Sequence, residues 1–182
     1  LHQEFNKNQD VLKAAKMSVH TSFEMGTVLM SLMSPNPEII INTDSILFHL
    51  MEVTKYAPSR YTLQDISNSG RLQLLQNDTL KALIYQWEQS YGLMEEAYLG
   101  MDKKLENEMI PYLTEHYSMK DIDQYGALNW DKPSELSGDK LALFTDIVFE
   151  NNLDDLMYRM NVYADRLTEL YNVQEQIIAL TE

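Results

Sequence analysis

Two stretches of the chain space their apolar side chains in alternating steps of four and three, and no other feature restricts the fold so tightly. Leu80, Ile84, Trp87, Tyr91, Met94, Tyr98, Met101 and Leu105 form one series. Phe149, Leu153, Leu156, Met160, Tyr163, Leu167, Leu170, Gln174 and Ile177 form the other. A repeat averaging 3.5 residues puts all of these on one stripe of an α-helix. A β-strand would scatter them over both faces, because its side chains alternate with period two. Each series is therefore a long helix with one face to bury, and neither helix can bury it alone.

A third long helix is expected from about Gln3 to Met33, with the stripe Phe5, Leu12, Ala15, Val19, Phe23, Gly26, Met30 and Met33. Ser34-Pro35-Asn36-Pro37 ends it, since proline lacks the amide hydrogen and constrains the residue before it. Asn42 or Thr43 reads as the N-cap of a short helix from Ser45 to about Val53. Ile39-Ile40-Ile41, just before, is the only strand-like run and is too short to found a sheet. Pro58 breaks the chain again. Thr62 with Asp65 resembles a capping box opening a second short helix, which stops at Ser69-Gly70 with Gly70 suited to the left-handed C′ position.

Asn77-Asp78 caps the helix that carries the first series. If it reaches Tyr117 it spans about 58 Å at 1.5 Å per residue. Pro111 lies inside it, so a kink near Glu108 or a new helix from about Ile110 is expected. The stripe also slips here, from Leu105 to Met109, Tyr112 and His116. Ser118 to Gly138 reads as a long polar connection lidding one bundle end, with Tyr125, Leu128 and Trp130 as its apolar anchors. Asp139 caps a helix through about Phe149, and the last helix continues to about Leu180. Gln174 occupies a core position of that helix; a frayed bundle end is the simpler expectation there, register-setting the other. The sum is one all-α domain over residues 1–182. It is an elongated antiparallel bundle of three long helices with shorter ones between them, the two terminal helices side by side.

Charge narrows the function. The chain carries 28 Asp and Glu against 14 Lys and Arg, a formal net charge of −14. Nucleic acids and anionic membranes both attract basic surface, and neither is expected as a partner. Lys103-Lys104, the nearest thing to a basic patch, is flanked by Asp102 and Glu106 and reads as a solvated helix face. Cysteine is absent, which removes disulfides, thiolate catalysis and Cys-ligated metal sites. No run of about 18 apolar residues exists to span a membrane.

Catalytic patterns are missing as well. None of His2, His20, His49 and His116 follows a glutamate by three residues, and no His-Glu-x-x-His occurs. His49 and Glu52 lie one turn apart, a surface hydrogen bond rather than a metal site. No glycine-rich phosphate loop or Gly-x-Ser-x-Gly elbow is present. Asp154-Asp155 and Glu95-Glu96 are neighbours on helices and point about 100° apart, so neither pair makes a catalytic cleft. No catalytic residue, cofactor or metal is expected. Trp87, Tyr91, Tyr98, Met160 and Tyr163 form an aromatic and methionine-rich seam that reads first as core and second as the lining of a small-molecule pocket.

The stretch from Tyr61 to Ile84, with Ser69-Gly70, Leu72, Leu75, Asn77-Asp78, Leu80 and Lys81, resembles an uncharacterised bacterial family. Trp87, Tyr91 and Ile110-Pro111-Tyr112-Leu113 fit the same pattern. Proteins of that family have an N-terminal membrane helix and a helical extracytoplasmic region of unknown function. The resemblance implies a periplasmic or extracytoplasmic module tethered to the inner membrane, with the anchor upstream of Leu1. It carries no catalytic residues. The expected function is a non-enzymatic module for protein interaction, self-association or envelope sensing. The alternatives are a ligand-sensing bundle and an enzyme around His49, Glu52 and His116.

Overall fold

The computed structural model describes residues 1–38 and 41–181 and is all-α, with no strand among them. Seven α-helices occur among these residues: α1 (His2–Ser31), α2 (Thr43–Met51), α3 (Tyr61–Asn68), α4 (Asp78–Lys104), α5 (Ile110–His116), α6 (Met119–Ile122) and α7 (Ile147–Thr181). Of the Ile39-Ile40-Ile41 run, Ile39 and Ile40 lie outside the described residues.

Helix α7 is the axis of the molecule. All nine residues of its four–three series are buried, Gln174 included. Helix α1 runs antiparallel beside it. His2 meets Thr181, the Phe5 carbonyl meets Gln174, and Gly26 meets Met157. A Cβ on Gly26 would stand 2.9 Å from the Met157 side chain, so any larger residue here would force Met157 to shift. Helix α4 flanks α7 on the other side, also antiparallel, with Tyr98 against Tyr163 and Gly100 against Arg159. Because α1 and α4 both oppose α7, they run parallel to each other. The chain must therefore return the whole bundle length between them, and residues 32–77 make that return.

The caps behave largely as side-chain chemistry dictates. Asn42 accepts from the Ser45 amide, and Asn77 from the Leu80 amide. Gly70 adopts φ 72° after α3, the left-handed conformation that a Cβ disfavours. Thr62 is not a cap. It lies inside α3, and its amide is satisfied from a distance by the Glu4 carboxylate at 3.1 Å.

Pro111 acts through a π-helical turn, Leu105–Met109, in which the Ile110 amide donates to the Leu105 carbonyl five residues back. One extra residue per turn accommodates the proline and produces the slip in the stripe. Met109 and Tyr112 are buried as that slip requires, but Leu113 takes the next core position and His116 is about half exposed.

Four expectations are corrected. The α1 stripe runs through Phe5, Asn8, Leu12, Ala15, Val19, Ser22, Gly26 and Leu29, with Phe23 and Met30 at its margin. The segment capped by Asp139 is a 3-10 helix, Lys140–Thr145, and Asp146 breaks it from α7. Leu128 and Trp130 are exposed rather than anchoring; Tyr125, also exposed, holds the loop only through its hydroxyl, which accepts from the Asn42 side chain, and buried Ile122 and Asp121 hold it from inside. Gln174 is fully buried, not frayed.

Candidate functional site

The aromatic and methionine seam lies where the three long helices converge. Met160 and Tyr163 of α7 are fully buried, Trp87 of α4 nearly so, and Tyr91 and Tyr98 are half-buried along the α4 edge. Trp87 stacks on Tyr91 at 5.5 Å and receives the Phe5 ring edge-on at 5.3 Å. Tyr98 and Tyr163 meet edge to face at 5.4 Å.

What fills the seam is the chain itself. Residues 52–60 form a non-helical strap that touches all three long helices. An irregular backbone cannot satisfy its own amides and carbonyls, so partners must come from elsewhere. Helix α1 supplies several of them. Asn8 donates to the Ser59 carbonyl at 2.7 Å and accepts from its amide at 2.8 Å. The Ser18 hydroxyl accepts from the Thr54 amide and donates to the Glu52 carbonyl, both at 2.9 Å. Ser22 donates to the His49 carbonyl at 2.9 Å, and Glu4 accepts from the Ser59 hydroxyl at 2.9 Å.

Helix α7 supplies others. The Tyr163 hydroxyl accepts from the Tyr56 amide at 2.9 Å and donates to the Thr54 carbonyl at 3.2 Å. Tyr56, fully buried, donates to Gln174 Oε1 at 3.3 Å, and Gln174 Nε2 donates to the Phe5 carbonyl at 2.7 Å. Burial pushes the Tyr163 hydroxyl up to about 12, against the opposing effect of the Tyr56 amide. Burial raises Tyr56 further still. On the α4 side, Arg60 lies 4.8 Å above Tyr91 and Lys55 lies 3.2 Å from Glu95. The seam hydroxyls of Tyr56 and Tyr163 and the Gln174 amide are thus spent on holding this strap.

A second polar cluster closes the far end of the bundle. Asp44 at the start of α2 accepts from the Tyr117 hydroxyl at 2.6 Å and from Lys140 Nζ at 2.6 and 2.8 Å. Lys140 also pairs with buried Asp121 at 3.1 Å, and the Ser134 amide donates to the other Asp121 oxygen at 2.6 Å. Burial alone would raise Asp121, but the Ser134 amide, Lys140 and Ser137 outweigh it and hold the carboxyl low. Burial, then Asp44, keeps Tyr117 protonated far above the ordinary range. The cluster clasps α2, α5 and the 118–146 connection together.

Lys104 corrects the reading of a solvated face. It is buried, with Glu108 at 2.5 Å, Asn152 at 3.0 Å and Asp155 at 3.1 Å. Burial opposes its charge, and the carboxylates of Glu108 and Asp155 overcome that and raise its pKa. It ties α4 to α7 next to the π turn. Its neighbour Lys103 is exposed.

The remaining candidates are surface features. His49 and Glu52 pair at 3.5 Å with roughly half of each side chain exposed. Asp154 is exposed, while Asp155 pairs with Lys104 and Arg159. Among the described residues no three His, Asp or Glu side chains gather in a way that could hold a metal. No described helix is long and apolar enough to cross a membrane.

The α1 sequence did contain a signal for the strap. Asn8 and Ser22 fall on the unbroken three–four series from Phe5 to Leu29, and polar residues at such positions need partners inside. No short-range pattern marks Asp44, Tyr117, Asp121 and Lys140, which come from four separate segments. No family model, curated protein or solved structure matches the chain.

Proposed function

We propose that the chain is a non-enzymatic helical interaction module. In this reading a membrane segment upstream of residue 1 tethers it on the extracytoplasmic side, and the bundle end away from Leu1 meets a protein partner. One observation carries the reading: the seam hydroxyls of Tyr56 and Tyr163 and the Gln174 amide are engaged in holding the strap, while Leu128, Leu136 and Ile147 stand exposed in and beside the 118–146 connection. Leu136 is 95% exposed, Ile147 62% and Leu128 60%, beside half-exposed Trp130. Apolar clusters left in water by an otherwise well-packed protein mark binding surfaces, and tryptophan is prominent among binding hot spots. Helix α1 sets that end about 45 Å from Leu1 at 1.5 Å per residue, a reach that suits a tethered module.

The test is cross-linking of the full-length protein in its native host, read by mass spectrometry. A reproducible partner joined through residues 126–148 is expected. Intact bait with no partner, together with a small molecule that raises the melting temperature, would replace this reading with ligand sensing.

A further inference from the structure

Charge is distributed unevenly along the bundle. Residues 17–54 and 89–164 make up the end away from Leu1 and hold 19 of the 28 acidic residues but only six of the 14 basic ones. Three of those six are already committed: Lys104 to Glu108 and Asp155, Lys140 to Asp44 and Asp121, and Arg159 to Asp155. The end that carries Leu1 has nine acidic and eight basic residues and is close to neutral. Essentially all of the net charge therefore sits at the far end.

Leu136, Leu141 and Ile147, exposed at that end, border open hollows. Ile147 lies with Met33 and Pro35 in one, Leu141 with Ile41 and Pro37 in a second, and Leu136 beside His116 in a third. Glu150 rims the first, Glu38 and Asp139 the second, and Glu115 the third. Apolar contact area with a carboxylate rim fits one chemistry. We propose that this tip docks a cationic protein segment, one whose leucine-like side chains enter the hollows at Leu136 and Ile147 while its lysines or arginines meet Glu115 and Glu150 on their rims. The proposal rests on the interaction reading above and specifies the partner. A second copy is a poor occupant, because the same negative charge would face itself. An anionic bilayer is excluded on the same ground.

The probe is a fluorescein-labelled amphipathic helix built of Leu and Lys, with a Leu/Glu peptide of the same pattern as its counterpart. Anisotropy is read on the whole chain at low and physiological salt. The Leu/Lys peptide is expected to bind, more weakly as salt rises, and the Leu/Glu peptide not to bind. The double variant Leu136→Ser, Ile147→Ser changes only exposed side chains, so it should fold. It should weaken binding at least tenfold. The control Leu74→Ser, Tyr85→Ser, exposed at the opposite end, should change it less than twofold. Equal loss in both variants would reduce the binding to bulk charge and overturn the proposal. Binding of both peptides, or sedimentation with phosphatidylcholine vesicles that the tip variant abolishes, would overturn it too. If neither peptide binds while native cross-linking still yields a partner, the cationic assignment fails and the interaction reading stands.

Discussion

Gln174 shows how one side chain can tie distant parts of the chain together. It lies on the apolar stripe of α7, and its amide bridges the Tyr56 hydroxyl on the strap and the Phe5 carbonyl on α1. Leucine would fit the stripe better by hydrophobicity, yet it would leave the buried Tyr56 hydroxyl without an acceptor. The cost of such an orphaned group is about 1–3 kcal/mol. Gln174→Leu is therefore expected to destabilise the protein by about 2 kcal/mol, read as a lower urea midpoint with an unchanged slope. A stabilised variant would show that the bridge is not needed. Gln174 was legible as an anomaly in the four–three series, but its partners lie 118 and 169 residues away in sequence. No local pattern names them.

At the scale of elements, the three long helices and the strap differ in how they are specified. Helices α1, α4 and α7 carry their stripes in the sequence, and the stripes alone define which face turns inward. The strap has no periodicity. Its position comes from the side chains that reach its backbone, Asn8 above all, with both a donor and an acceptor on Ser59. Asn8→Ala is expected to cost about 1–3 kcal/mol. Hydrogen exchange gives the sharper reading. The Tyr56 and Ser59 amides should be protected in the wild type although they belong to no helix, and Ser59 should lose that protection selectively in the variant. Equal, rapid exchange of Ser59 in both proteins would place the strap outside the cooperative core. The π turn at Leu105–Met109 belongs to the same scale. Pro111 announces a disturbance, and the slip of the stripe gives its size, one residue.

Across the whole molecule, titration behaviour follows from where the tyrosines and aspartates are buried. Tyr56, Tyr112, Tyr117 and Tyr163 all hold their protons above the ordinary value of 10.0, burial being the first cause in each. In the unfolded chain they ionise near 10, so above that pH the unfolded state releases protons that the folded state keeps. Stability from these groups is complete below pH 10 and is lost as the pH rises through their folded values. Asp121, Asp146 and Asp155 are shifted the other way, below 3.8. Their contribution is present above that value and lost as the pH falls through the lowered ones. The melting temperature is expected to be level between those limits and to drop beyond each, with the tyrosinate absorbance of these four tyrosines rising together with unfolding rather than before it. Ionisation of these four, isolated by Tyr→Phe replacement, well ahead of unfolding would contradict the hydrogen-bonded interior.

The sequence by itself determined the class, the three long helices, most of their inward faces and the caps at Asn42, Gly70 and Asn77. These rest on interactions between residues a turn or less apart, and their periods are written directly in the order of side chains. Tertiary structure alone decided that α1 and α4 run parallel on either side of α7, that residues 52–60 fill the space between them, and that Lys104 and Asp121 are buried. It also decided that Leu128 and Trp130 face water rather than lidding the bundle. Each of these depends on which distant segment meets a given side chain. A polar group is settled inside only when its partner arrives, and an apolar one is settled outside only when the core is already full.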